Sequence, residues 1–234
     1  MHLRWTWFAL ILGLLSTLPV VGQWQAHFAD SVSLAPSVWQ GTLDKFRCNP
    51  TRGLQLYDSK ASGTTNYAYI KAGVPLSKQM TWHGKVQLDY TPTQSNNVKL
   101  LLYCYGAPGD GTFNYVVLSM KDNQCLRLSE CNLSLESNGR VKIISTNEIL
   151  AYNYFDEMRQ SGGIVDFVIQ YDPMAERRWS MWVRHRDGDL YKQVGSAGNT
   201  PSTPSNYKRF SLLFACEYSK SRAQSSSLEF LDVY

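Results

Sequence analysis

The chain lacks most of the patterns that announce chemistry. It has no Cys-x-x-Cys pair and only four histidines in 234 residues, which excludes a zinc centre of the usual spacing. It has no Gly-x-Ser-x-Gly, so the strained serine elbow of the hydrolases is absent. No Glu-x-Asp-x-x-Glu occurs, the spacing that sets several carboxylates on one strand face. Charge is sparse: charged residues are 18% and the formal net charge is +4, too mild to imply nucleic acid by itself. Beyond residue 22 no apolar run approaches the length of a membrane span. No repeat of fixed period is present. A clean helical period is missing too. Only residues 147–160 come near one, and Tyr152 and Tyr154 favour extended backbone there, so the stretch reads as strand and loop.

What is present is aromatic and alternating. Hydrophobic residues are 44%, with 14 Tyr and 7 Trp, enough for a sizeable core and suited to pleated surfaces. In residues 82–90, Trp82, Val86, Leu88 and Tyr90 share one parity, and His83, Lys85, Gln87 and Asp89 take the other. After a polar TPTQSNN segment, Val98, Leu100, Leu102 and Cys104 alternate with Lys99, Leu101, Tyr103 and Tyr105. The two runs predict an antiparallel hairpin. The same period recurs at Val165, Phe167, Ile169 and Tyr171, and at Trp179, Met181 and Val183. Asn138-Gly139 and Asp187-Gly188 are hairpin-turn dipeptides. Roughly twelve to fourteen short strands with regular turns predict an all-β, antiparallel two-sheet β-sandwich.

Residues 1–22 read as a secretory signal peptide. Arg4 supplies the positive start, residues 5–18 the apolar stretch, and Val20 and Gly22 the small residues before cleavage at Gln23. Residues 23–234 then form one domain, secreted to the exterior or cell surface and with no membrane span. Its five cysteines are an odd set. Cys125 and Cys131 are the nearest pair in sequence, yet both also fit strand positions. Cys104 and Cys216 read as small buried hydrophobes.

Four segments carry a resemblance: WQGTLDKFRCNPTRGLQL from Trp39, WHGKVQLDYTPTQSNN from Trp82, NYVVLSMKDNQ from Asn114 and ACEYSKSRAQSSSLEFLDVY from Ala215. Together they resemble the N-terminal concanavalin A-like (jelly-roll) module of bacterial secreted proteins that carry a lamin-tail domain and a type IX secretion sorting domain further on. The resemblance implies a concanavalin A-like jelly roll at the front of a longer exported chain. It also implies a structural calcium between the first and last strands, where Asp30 and Asp232 would be the ligands. The sequence around them supplies few of the six to eight oxygens that calcium takes. No other cofactor is expected.

Three functional classes fit a fold of this kind. In a binding module for glycans, rings stack on sugar faces while carboxylates, amides and guanidinium groups bond hydroxyls. Its candidates lie opposite the core parity: Gln87, Asp89, Lys99 and Tyr103 on the first two strands, and Trp182, Arg184 and His185 on a later one. They share one surface if those strands are neighbours. The apolar Leu101, Val116 and Leu118 on the same parity favour a covered face instead. The alternative is a glycoside hydrolase or polysaccharide lyase on the same fold. Hydrolysis needs two carboxyls about 5–5.5 Å apart for retention, or farther for inversion. Asp156 and Glu157 are adjacent and would face opposite ways, and Asp187 and Asp189 flank a turn glycine. No catalytic residue is assigned. Arg177, Arg178, Arg184 and Arg186 around Trp179 and Trp182 are a weak nucleic-acid signal, and no nucleic-acid partner is expected. The sequence therefore points to a secreted, non-catalytic module for carbohydrate recognition or adhesion.

Overall fold

Alternation in the sequence becomes alternation of burial in the computed structural model. The model describes residues 24–28, 39–57, 64–72, 79–93, 96–105, 112–121, 125–135, 141–153, 163–172, 174–175, 178–197, 210–218 and 226–233. The leader, Asp30, the Asn138-Gly139 turn and the Asp156-Glu157 pair lie outside them. The described residues form fifteen strands. They are β1 (Trp24–His27), β2 (Gln40–Gly41), β3 (Phe46–Asn49), β4 (Gly53–Leu56), β5 (Thr64–Ala72), β6 (Met80–Leu88), β7 (Asn97–Tyr105) and β8 (Thr112–Lys121). There follow β9 (Cys125–Leu135), β10 (Val141–Asn153), β11 (Ile164–Asp172), β12 (Arg178–Arg184), β13 (Lys192–Ala197), β14 (Phe210–Tyr218) and β15 (Ser226–Val233).

The strands make two sheets, and every pairing is antiparallel. The first runs β13-β12-β11-β6-β15-β4-β3, and β1 also pairs with β15. The second runs β10-β9-β8-β7-β14-β5-β2. The expected all-β, antiparallel two-sheet sandwich is the fold.

On β6 every second residue from Met80 to Leu88 is buried and those between are half-buried. Trp82 and Val86 meet Phe167 and Ile169 of β11 and Trp179 and Met181 of β12 in one core with Val98, Leu100 and Leu102 of the facing sheet. Trp82 stacks on Trp179 at 5.6 Å, and Tyr171 lies 4.7 Å from Trp179. Rings of this size bury roughly 150–250 Å² each and dominate the core's energetics. The indole Nε1 of Trp82 donates to the Leu102 carbonyl at 3.1 Å and so ties one sheet to the other.

Three expectations change. The runs at 82–90 and 98–104 are strands, as alternation predicts, but they are not a hairpin: β6 lies in the first sheet and β7 in the second. The link between them, residues 89–96, is longer than the two to five residues of a hairpin loop and spans the sheet-to-sheet gap of about 10 Å. Tyr90 and Pro92 are buried within that link. The two apolar faces therefore meet each other instead of lying side by side. Second, Cys125 and Cys131 cannot bridge. Both lie on β9, six residues and about 20 Å apart, beyond the roughly 7 Å that a disulfide spans. Third, Trp179 is a core residue, 1% exposed, which removes it from any surface cluster with the arginines.

Candidate functional site

The outer face of the first sheet carries a buried carboxylate. Asp166, near the start of β11, lies between Lys85 of β6 and Arg184 of β12 in register. It is only 1% exposed. Burial alone raises a carboxyl's pKa, so partners must offset it. Arg184 Nε donates to Oδ2 at 2.7 Å. The Tyr191 hydroxyl donates to Oδ1 at 2.7 Å. His83 Nε2 stands 3.1 Å from that oxygen and 2.8 Å from the Tyr191 hydroxyl oxygen. With the Tyr191 O–H donated to the carboxylate, the hydrogen between His83 and these two oxygens belongs to Nε2. Burial pushes Asp166 up, but the bonds from His83, Tyr191 and Arg184, and the Arg184 charge, outweigh it and hold the carboxyl below its usual range. Burial and the bond to Asp166 raise the Tyr191 phenol well above its ordinary value. The Arg184 guanidinium also lies over the Tyr191 ring, 4.7 Å from its centroid. Arg184 is thus fixed in position and charge.

Beside this network the chain forms a cleft of about 250 Å³. It opens where β13, at one edge of the first sheet, meets β10, at the edge of the second. Gly195 permits that approach, since a Cβ there would stand 2.8 Å from a Leu150 methyl carbon. The cleft is lined by buried Val183 and His185, half-buried Tyr152 and Arg184, and exposed Arg186, Asp189, Leu190 and Lys192. His185 Nδ1 lies 2.7 Å from the Ile164 carbonyl, which only accepts, so the proton is on Nδ1. The His185 ring stacks on Tyr152 at 6.3 Å, and Lys192 Nζ sits 5.5 Å from the centroid of the same ring. Leu190, at the lip, is 93% exposed.

The sequence candidates divide among these surfaces. Arg184 and His185 line the cleft. Gln87 pairs with Ile164, whose carbonyl takes His185, and so shares that end of the sheet. Trp182 is half-buried on the outer face of β12, opposite Gln193 and Val168. Asp89, past the end of β6, makes a two-point ion pair with Arg52 at 2.6 and 2.8 Å, away from the cleft residues. Lys99 and Tyr103 are on β7 in the other sheet, so the seven do not form one surface. Lys99 is 5% exposed between Ser119 and Ala215, and Leu101 beside it is buried, so this face is covered as its apolar residues suggested. The side chain of Tyr103 lies outside the described residues. Asp166, His83, Tyr191 and Lys192 were missed. Their one sequence signal was Asp166 itself, a charge set between apolar residues near the start of an apolar strand.

Of the calcium pair, Asp30 lies outside the described residues and only Asp232 is described. Asp232 is buried and lies 3.2 Å from His27 Nε2. Among the described residues no three His, Cys, Asp or Glu side chains gather as a metal would need.

No protein-family model matches the sequence, and no curated protein matches it. Solved structures do. The carbohydrate recognition domain of Emp46p, in a potassium-bound form, is 13% identical over 89% of this chain and 94% of its own, with a TM-score of 0.57. Lectin I-B4 of Griffonia simplicifolia, in a metal-free form, is 12% identical over 91% and 98%, with a TM-score of 0.54. An engineered GH43 glycoside hydrolase with endo-xylanase and exo-arabinofuranosidase activity is 12% identical over 94% of this chain but 42% of its own, with a TM-score of 0.50. These likenesses place the fold among the lectin-like, concanavalin A-like β-sandwiches.

Proposed function

We propose that this domain is a non-catalytic carbohydrate-recognition module whose ligand enters the cleft between β10 and the 185–191 turn. The observation that carries the reading is the cleft: concave, at the sandwich rim, with fixed donors at Arg184 and an exposed leucine at its lip. The two lectin-type structural neighbours support it. The hydrolase reading is less favoured. Both oxygens of Asp166 are engaged and the group is held ionised, which suits an anchor and not a proton donor. The GH43 match also spans under half of that enzyme.

The test is a glycan array with residues 23–234, compared with a Leu190→Asp variant. Leu190 is exposed, so the substitution leaves the fold intact. Binding without turnover, weakened about tenfold by the variant, is expected from losing an apolar contact and gaining a repulsive group. Release of reducing sugar, or binding indifferent to the substitution, overturns the reading. Export through cleavage of residues 1–22 belongs to the same proposal, as does a place at the front of a longer exported chain. N-terminal sequencing of the released protein is expected to begin at Gln23, and an intact leader would contradict it.

A further inference from the structure

The cleft's charge and its covered ring narrow the class of ligand, if the recognition reading holds. Three cations line it, Arg184, Arg186 and Lys192, against one carboxylate, Asp189. Arg184 is countered by Asp166. Neighbouring Asp187 is held by Lys85 at 3.1 Å. Among the described residues no carboxylate pairs with Lys192, so its charge is open to a ligand. The aromatic residue offers no open platform. Tyr152 already carries His185 in a stack and the Lys192 ammonium near its face. A neutral sugar, which gains most by laying its C–H face on a free ring, would first have to displace one of these.

Arg184 supplies the complementary feature. Its Nε is committed to Asp166 and its plane rests on Tyr191, so its orientation is set before any ligand arrives. Its side chain keeps 25% of its surface exposed, and its two Nη groups make no hydrogen bond among the described residues. A fixed fork of N–H donors beside an ammonium matches a planar or tetrahedral oxyanion, bound at two points. We propose that the cleft selects saccharides bearing an anionic substituent, a carboxylate or a sulfate, gripped by the Arg184 Nη groups and by Lys192, which leaves the Tyr152 face to meet it.

The experiment is titration calorimetry at low and high salt with three oligosaccharides of matched length: neutral, uronate-bearing and O-sulfated. It uses the unsubstituted protein, Lys192→Ala and Arg184→Lys. Lys192 is exposed and packs only over Tyr152, so its variant keeps the fold. Arg184→Lys retains charge without the fork, and circular dichroism checks its folding. An anionic ligand is expected to bind at least about tenfold more tightly than the neutral one, and to weaken roughly five- to tenfold on either substitution and again as salt rises. The sulfated and uronate arms tell which oxyanion is preferred. Equal binding of the neutral ligand, unmoved by Lys192→Ala yet lost in Leu190→Asp, overturns the anionic inference and leaves the recognition reading standing. Binding to none of the three overturns both.

Discussion

Asp166 shows how a residue can look solvated and be structural. By parity it points out of the sandwich, as Lys85 and Gln87 do, and the only hint in its own strand is that it is a charge set among apolar residues. Its burial comes from His83, Arg184 and Tyr191, on three other segments of chain. Sequence patterning reads one segment at a time, so the network was not legible. The pH consequence follows from the direction of the shift. The folded carboxyl titrates below its unfolded value of about 3.9, so its contribution is complete above that value and is lost as pH falls through the folded pKa. Asp166→Asn is expected to cost about 3 kcal/mol at pH 7, because it strips a buried charge from a paired guanidinium and leaves three donors poorly matched. Urea unfolding should show the two proteins furthest apart at pH 7, with the gap narrowing as pH falls below about 3.9. Equal stability at pH 7 would mean that the network holds nothing.

At the scale of elements, strand existence was legible, and so was the pairing of β12 with β13 and of β9 with β10 on either side of the two turn dipeptides, but the placement of β6 and β7 was not. Alternation located β6, β7, β11 and β12, and Trp179, Met181 and Val183 lie inside as the period required. It could not say that β6 and β7 belong to different sheets, because alternation marks a buried face without naming what covers it. The length of the 89–96 link held that information. Glycines give a second test at this scale. Gly163 leads into β11 with φ of 83°, its carbonyl accepts from Leu88 N at 2.9 Å, and a Cβ there would fall 1.7 Å from the Leu88 carbonyl oxygen. Gly188 has φ of 89° but nothing within 4 Å of a Cβ. Gly188→Ala is therefore expected to cost only about 1 kcal/mol of backbone strain. Gly163→Ala should cost at least about 3 kcal/mol, since backbone must move. Thermal melts of the pair check the order. A reversed order would place the β6–β11 approach elsewhere.

For the whole molecule, fold class was read from composition and period, and the resemblance added the jelly-roll expectation that the lectin-like neighbours bear out at the level of fold. The candidate site was legible only in part. Arg184 and His185 were singled out for facing away from the core, but the cleft needs Tyr152 from the opposite sheet, and no local pattern brings those edges together. The pairing of Asp232 with His27 also sets an expectation for metal. Calcium or a chelator is expected to leave the melting temperature within about 1 °C, because His27 already engages Asp232 and one carboxylate supplies few of the six to eight oxygens that calcium takes. A rise of several degrees with calcium would restore the metal reading. The pairing of the outermost strands reaches further. Trp24 sits opposite Val233, so β1 and the last residues of β15 run antiparallel with those two residues side by side. A pull on the two ends of this domain would load their rungs singly, like a zipper, instead of shearing all at once. In any tether under tension this unit would open early and at low force.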